Sequence, residues 1–474
     1  MTTTPNAIRP PRIGYAPITR PAFQGDTASA VRASLRGLET LAGELDFELV
    51  EAPPVAGPED ARRLAADLAG QDLDYLLIQL TTFATGDVAA PLLRCVPRVG
   101  VWALPERAGG RGASGPLPLN SLCGATMVLS TLERPEVAKV EPVKWFYGEA
   151  SAPDFRRRLA VTVAALRGLA ALQDATVLAI GGTAPGFYGL DEAPALDGVR
   201  VVRQELGELF DRVAAVAEAD AEARARRWSE GERSEVSFEQ LVRGARIDAA
   251  LEAMAREADA DALAVRCWPE LPERCGSMAC AAMGDMSGRE VPAACEGDVM
   301  GALSMLALQG VSRESAILMD LSDVDPVDDS LQVWHCGNAP LAWAAADGAG
   351  RPDTRLTTHF NRVGVGVVRD LRLRAGPVSG FRLLRSGRAA MIVSGEVASP
   401  HKAGFDGVRG WISDLHWGEE RVGAGGLVAN LLDRRLPHHL AFGRGHHTSA
   451  LNELCAFLGA DVLPALPPRP YLRG

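Results

Sequence analysis

The sequence predicts an α/β protein: two doubly wound parallel-sheet domains followed by an antiparallel, β-barrel-like C-terminal domain. Three observations predict it. From Ile13 onward, short apolar runs alternate with helix-length segments. The alternation starts afresh at Thr176. After about residue 331 the long helical patterns give way to short strands separated by Gly and Pro turns. A chain of 474 residues exceeds one ordinary core, and the expected domains are 1–174, 175–330 and 331–474.

Taken in order, residues 1–12 are polar and Pro-rich and read as an arm. Ile13–Pro17 reads as a strand, and Asp26–Leu45 as a helix with Asp26 or Thr27 as its cap. Phe47–Glu51, Tyr75–Leu80 and Arg98–Leu104 read as strands, with a helix at Pro58–Leu68. Strands alternating with helices at this spacing require a parallel sheet covered on both faces. Arg107–Pro118, rich in Gly, Arg and Pro, reads as a mobile loop, and Leu119–Gly124 opens a helix. Residues 153–173 form a long amphipathic helix with an Arg-rich start.

The second block holds a buried strand at Val177–Ile180, helices at about 204–230 and 237–257, and a strand at Ala262–Val265. A short strand at 292–295, a helix from Asp298 to Leu308 capped by Asp298, and a strand at Ala316–Met319 follow. In the third block, strands are expected at Gly364–Val368, Leu371–Leu373, Phe381–Leu384, Ala389–Ser394 and Ala460–Leu463, with a last helix at Thr448–Leu458.

Composition excludes several functions. A net charge of −11 argues against a nucleic-acid partner, which needs a basic surface. No apolar stretch approaches the length of a membrane helix. Met1–Asn6 lacks the basic-then-apolar pattern of a signal peptide, so a cytoplasmic location is expected. The eight cysteines include no CxxC pair, which fits reduced thiols and rules out a zinc ribbon. Gly181–Gly189 lacks GxGxxG spacing and reads as a strand-to-helix turn; no GxSxG elbow supports a serine hydrolase.

The chemistry-bearing residues cluster late. All eight histidines lie between His335 and His447. They follow two acids in suggestive settings: Glu296 in Pro-Ala-Ala-Cys-Glu-Gly-Asp, and Asp320 at the end of Ser315-Ala-Ile-Leu-Met-Asp320. Carboxylates and imidazoles at the ends of apolar runs are what converge on a divalent metal that keeps positions open for substrate. Each has a plainer reading. Glu296 suits the first turn of a helix. Asp320 heads an acidic loop with Asp323, Asp325, Asp328 and Asp329, although it is the acid best held by the scaffold. His335 suits a core position. In His438-His439, adjacent strand residues face opposite ways, so one can face a site. His446-His447, flanked by glycine, is a rival pair.

Arg266-Cys-Trp-Pro269, Cys295-Glu-Gly-Asp298 followed by a helix, Met319-Asp320, Trp334-His-Cys-Gly337 and His438-His439 in a strand together resemble the L-fucose isomerase/L-arabinose isomerase superfamily, in its fucose-isomerase-like branch. The likeness covers most of residues 176–474. Over 13–150 it rests on the α/β alternation and Asn120-Ser-Leu-Cys-Gly124.

The resemblance implies a metal-dependent aldose–ketose isomerase using Mn²⁺, with Mg²⁺ or Co²⁺ as alternatives. Glu296, Asp320 and His439 match the metal ligands. His335 corresponds to a further histidine at or near the metal, and His438 and His447 are kept as possible metal or substrate contacts. Moving a carbonyl from C1 to C2 removes a proton from the adjacent carbon. A carboxylate takes it and returns it one carbon along, a second acid shuttles protons between the oxygens, and the metal stabilises the enediolate. Glu296 is assigned as base and Asp320 as its partner; the two roles are exchangeable.

One departure bears on substrate: where fucose isomerases have an Ile-Gly-Ile-Arg-Pro type segment, this chain has Ile13-Gly-Tyr-Ala-Pro17, so Ala16 replaces the arginine. Arg20, Arg266 and Trp268 are candidate sugar contacts, and an arginine also suits a sulfonated or carboxylated sugar. By resemblance the assembly is a homo-trimer or homo-hexamer. The alternatives are a non-catalytic sugar-binding protein of this fold and a metal-dependent epimerase or lyase.

Overall fold

The computed structural model describes residues 9–23, 25–106, 117–134, 142–362, 364–398 and 402–467. Most of the expected N-terminal arm and of the Arg107–Pro118 loop lies outside the described residues. Contacts divide the described chain into two units, Arg9–Arg167 and Gly168 onward.

The first unit is a five-stranded parallel sheet in the order Glu48–Glu51, Arg12–Ile18, Tyr75–Leu80, Val99–Ala103, Val143–Tyr147. All six residues of Tyr75–Leu80 are buried, as its unbroken apolar pattern requires of a central parallel strand. Helix Thr27–Leu45 begins where Asp26 accepts the Ser29 N–H and turns Ala30, Ser34, Leu38 and Leu41 inward at helical spacing.

The second unit carries two sheets. One is parallel, in the order Ala293–Ala294, Ala262–Val265, Thr176–Ile180, Arg200–Gln204. The other is mixed and has eleven strands. Within it Ala389–Val397, Gly376–Leu384, His439–Arg444, Ile317–Asp325, Ser330–His335 and Val408–Trp417 pair in succession, and Val408–Trp417 pairs back to Ala389–Val397, so these six form a closed ring of antiparallel pairings. The apolar cluster among these strands includes Ile317, Met319, Val333, Met391, Val393, Ile412, Leu440 and Phe442.

Helix Val299–Ser312 joins the two sheets. All but Gln309 and Ser312 of its residues are buried. It packs on Ala262–Val265 of the parallel sheet and on Gly376–Leu384 and His439–Arg444 of the mixed one. A helix apolar on every face is stable only when enclosed in this way.

Several expectations need correction. The helix read over about 204–230 is two helices, Leu206–Ala215 and Glu218–Gly231, because Val216 and Ala217 turn extended and Arg246 bonds the Val216 carbonyl. Gly181–Gly189 does not open a helix. It packs on the turn at Glu296, passes a short turn at Tyr188–Leu190 and leads to strand Arg200–Gln204. The strand ending near Asp320 runs on to Asp325 and belongs to the mixed sheet. Gly364, with φ +82°, delays pairing until Val368, so one strand, Val368–Arg372, stands where two were expected. Helix Gly423–Arg434 went unforeseen: its Gly-rich start carries no side-chain cap, and burial of Ala424, Leu427 and Leu431 sustains it.

Leu303 is fully buried in the joining helix. Leu303→Ala is expected to lower the free energy of unfolding by about 2–5 kcal/mol, read by denaturant titration of the whole chain.

Candidate metal centre

The site forms at the start of the joining helix. Strand Ala293–Ala294 ends in a tight turn, Cys295–Gly297, in which Glu296 adopts the left-handed conformation (φ 62°, ψ 15°). Gly297 follows with φ +74°, and a Cβ there would stand 2.1 Å from the Gly182 carbonyl oxygen. Ala184 N–H donates to the Glu296 carbonyl at 2.9 Å. The Gly-rich loop thus clamps the Glu296 backbone, and only glycine at 297 lets the two approach. Asp298 then caps the helix, accepting the Gly301 N–H at 2.7 Å.

Asp298 is fully buried and makes the central contacts. Arg382 Nη1 and Nη2 donate to its two oxygens at 2.5 and 3.0 Å, and His439 Nδ1 lies 2.9 Å from Oδ2. Burial raises the Asp298 pKa, but Arg382 and His439 outweigh it and hold the carboxyl well below its usual range. An ionised acceptor fixes the His439 proton on Nδ1, which turns an unprotonated Nε2 the other way.

That Nε2 is buried without a hydrogen-bond partner. It lies 3.5 Å from Glu296 Oε2 and 3.7 Å from Asp320 Oδ1, itself a buried oxygen without a hydrogen bond. Register explains the second approach: Asp320 and His439 are directly opposed across antiparallel strands, with Trp334 opposite Asp320 on the other side. Two groups of metal-capable side chains result, Glu296–His438–His439 and Asp320–His335–His439, with the ligand atoms of each within 4.8 Å of one another and His439 common to both. The orphaned Nε2 and Oδ1 atoms, aimed together, fit a divalent cation. The donors are oxygen and nitrogen, a set that divalent cations accept.

His335 is oriented differently. Its Nδ1 accepts the Cys336 backbone N–H at 2.8 Å, which assigns the proton of the neutral ring to Nε2. Burial disfavours a charge on this ring, but Cys336, Asp320 and Glu296 outweigh it and raise the pKa. His438 Nε2 is 3.2 Å from Glu296 Oε2. That contact, against the opposing effect of burial and with help from Asp320, raises the His438 pKa above its ordinary 6.5.

Of the other residues singled out, Trp268 packs edge-on against Phe187 (centroids 5.7 Å apart), and Phe187 against His438 (5.7 Å), so the three rings make a wall beside Glu296. Arg266 follows strand Ala262–Val265, and its Nη2 bonds Glu270 at 2.9 Å. His447 belongs to neither group: its Nε2 donates to the Arg444 carbonyl at 2.7 Å in the turn before helix Thr448–Leu458. Arg20 belongs to the other unit, where its backbone N–H donates to Thr82 Oγ1.

Sequence reasoning took Asp298 for a helix cap alone and passed over Arg382 and Phe187. A charged residue inside the apolar Phe381-Arg-Leu-Leu384 was the legible signal for a buried partner.

No protein-family model matches the chain. It is similar to the sulfoquinovose isomerases of Priestia megaterium and Priestia aryabhattai, each 27% identical over 385 residues that cover 78% of this chain and 81% of the relative. The sulfoquinovose isomerase of Alkalicoccus urumqiensis is 28% identical over 384 residues, with the same coverage. The chain is an isomerase. Among the described residues no helix of this isomerase is long and apolar enough to cross a membrane.

Two outcomes follow from this geometry. Asp298→Asn removes the anion that holds the His439 tautomer and should weaken divalent-cation binding about 10–100-fold in calorimetric titration. The second concerns the metal-free protein. A raised His438 pKa means that its attraction to Glu296 is fully present below 6.5 and is lost as pH rises through the folded-state value. The gap in melting temperature between the native chain and His438→Gln should therefore shrink as the pH rises from about 6 through the folded-state value.

Proposed function

We propose that this isomerase interconverts the aldose and ketose forms of a free, sulfonated sugar, with a divalent cation, Mn²⁺ first among candidates, held by Glu296, Asp320 and His439. The observation that carries the reading is the unpartnered His439 Nε2 facing both carboxylates, in a chain similar over 78% of its length to sulfoquinovose isomerases. The likeness to fucose-isomerase-like proteins supports the same reaction class and a homo-trimer or homo-hexamer in the cytoplasm.

The bound cation would supply Lewis acidity, stabilising the negative charge of an enediolate. The remaining work falls to the chain. The Glu296 and Asp320 side chains are 15% and 28% exposed, so each is reachable from solvent yet anchored. One takes the proton from the carbon beside the carbonyl and returns it to the neighbouring carbon; the other moves protons between the oxygens. His335, with its proton on Nε2, donates to a substrate oxygen. His438, half-exposed and bonded to Glu296, exchanges protons with solvent. The Phe187–Trp268–His438 wall receives an apolar face of the sugar.

A sulfonate is a permanent anion with three acceptor oxygens, and guanidinium matches it best. Arg266 is the proposed partner: its Nε has no hydrogen bond and its side chain keeps 23% of its exposure.

The test is metal-stripped protein reloaded with Mn²⁺ and incubated with sulfoquinovose or glucose in D₂O under proton NMR. Metal-dependent ketose formation from the sulfonated sugar is expected, with deuterium entering at the carbon that receives the proton; its absence with every sugar would overturn the reading. Glu296→Gln should abolish turnover while the fold persists, and full activity in that variant would remove Glu296 from the chemistry. Arg266→Met should raise KM for the sulfonated sugar far more than it lowers kcat.

A further inference from the structure

Four thiols lie beside this site, and nothing in the proposed reaction uses them. Cys267 follows strand Ala262–Val265, Cys280 opens helix Cys280–Gly288, Cys295 precedes Glu296, and Cys336 follows His335. Cys280 and Cys295 are fully buried, Cys267 nearly so, and Cys336 is half-buried. Asn338 Nδ2 donates to Cys295 Sγ at 3.2 Å, and that sulfur also neighbours Cys267 and Cys336. The pair that stands out is Cys280 and Cys336, 56 residues apart in sequence, whose sulfurs approach to 3.4 Å in a pocket of Met278, Val365 and Val368. That is contact distance without a bond, since a disulfide measures about 2.05 Å. The four thiols fall outside both metal-capable groups, so a thiolate metal site is not the reading.

We propose that Cys280 and Cys336 form a reversible disulfide when the protein meets a hydroperoxide, and that this bond disturbs His335. Cys336 reacts first, because it is the less enclosed of the two residues. With hydrogen peroxide, the Cys336 sulfur attacks one peroxide oxygen; the O–O bond breaks, Cys336 becomes a sulfenic acid, and its thiol proton leaves with the departing oxygen as water. Cys280 then attacks the Cys336 sulfur; the S–S bond forms, the S–O bond breaks, and the hydroxyl leaves with the Cys280 proton as a second water. Two thiols have lost two electrons to one hydroperoxide, and a dithiol reductant returns them.

Adjacency couples the bond to the site. His335 Nδ1 touches both the Cys336 backbone N–H (2.8 Å) and the Cys336 sulfur (3.3 Å), so drawing that sulfur toward Cys280 pulls on the ring and on the strand end that carries it. This coupling rests on the metal reading of His439, whose ring packs against His335 with centroids 5.6 Å apart; the disulfide does not.

The experiment treats the reduced, full-length protein with hydrogen peroxide, digests a portion for mass spectrometry, and titrates the rest with Mn²⁺ before and after dithiothreitol. A peptide linked through Cys280 and Cys336 is expected, with Mn²⁺ affinity falling about tenfold and recovering on reduction, the size seen when a ligand's supporting contact is lost. Cys280→Ala should bind Mn²⁺ normally when reduced and should not show the reversible loss. Absence of the linked peptide from oxidised native protein overturns the disulfide. A linked peptide with unchanged Mn²⁺ affinity overturns the coupling alone. Failure of the reduced native protein to bind Mn²⁺ counts against the metal reading and leaves the disulfide standing.

Discussion

The buried contact of Asp298 with Arg382 and His439 holds the functional half of the molecule in one arrangement. It joins the start of a helix to two strands, Gly376–Leu384 and His439–Arg444, across 84 and 141 residues of sequence. Taking a carboxylate and a guanidinium out of water costs several kcal/mol per ion, and the cost is offset only when geometry is good and every lone pair is used. Here it is: one Asp298 oxygen accepts from Arg382 and the Gly301 N–H, the other from Arg382 and His439. The arrangement fixes the direction in which His439 presents a lone pair, so a structural ion pair also settles the chemistry.

Backbone constraint does the rest. Glu296 sits at a left-handed position that a side chain adopts only at a cost, and Gly297 and Gly182 meet too closely for any larger residue. The strain is held by a largely buried helix on one side and the Gly181–Gly189 loop on the other. A carboxylate pinned in this way does not reorganise during a proton transfer, and such preorganisation is what a base facing a weak carbon acid requires.

The elements most legible in the sequence were those with a local cause. Parallel strands read as unbroken apolar runs, and helices starting at Thr27 and Val299 announced themselves through Asp26 and Asp298 as caps. Helix Gly423–Arg434 has no such cap, and only tertiary burial sustains it. Glu296, Asp320, His438 and His439 were legible as residues because acids and imidazoles ending apolar runs are unusual. Their convergence was implied by the family resemblance alone, since physically it depends on the register that sets Asp320 opposite His439. The tautomers of His335 and His439 were also beyond reach, because they are set by a backbone N–H and by a carboxylate 141 residues away.

The long separations within the Asp298 cluster have a consequence for the chain as it is made on a ribosome. Asp298 emerges first, Arg382 later and His439 last, so an acid destined for the interior waits through the synthesis of 141 further residues for its final partner. Until then the helix that it caps has nothing to cover the apolar face that strands Gly376–Leu384 and His439–Arg444 will take. Such an intermediate is the kind that aggregates or engages a chaperone. The feature that makes the finished site rigid therefore makes its assembly late.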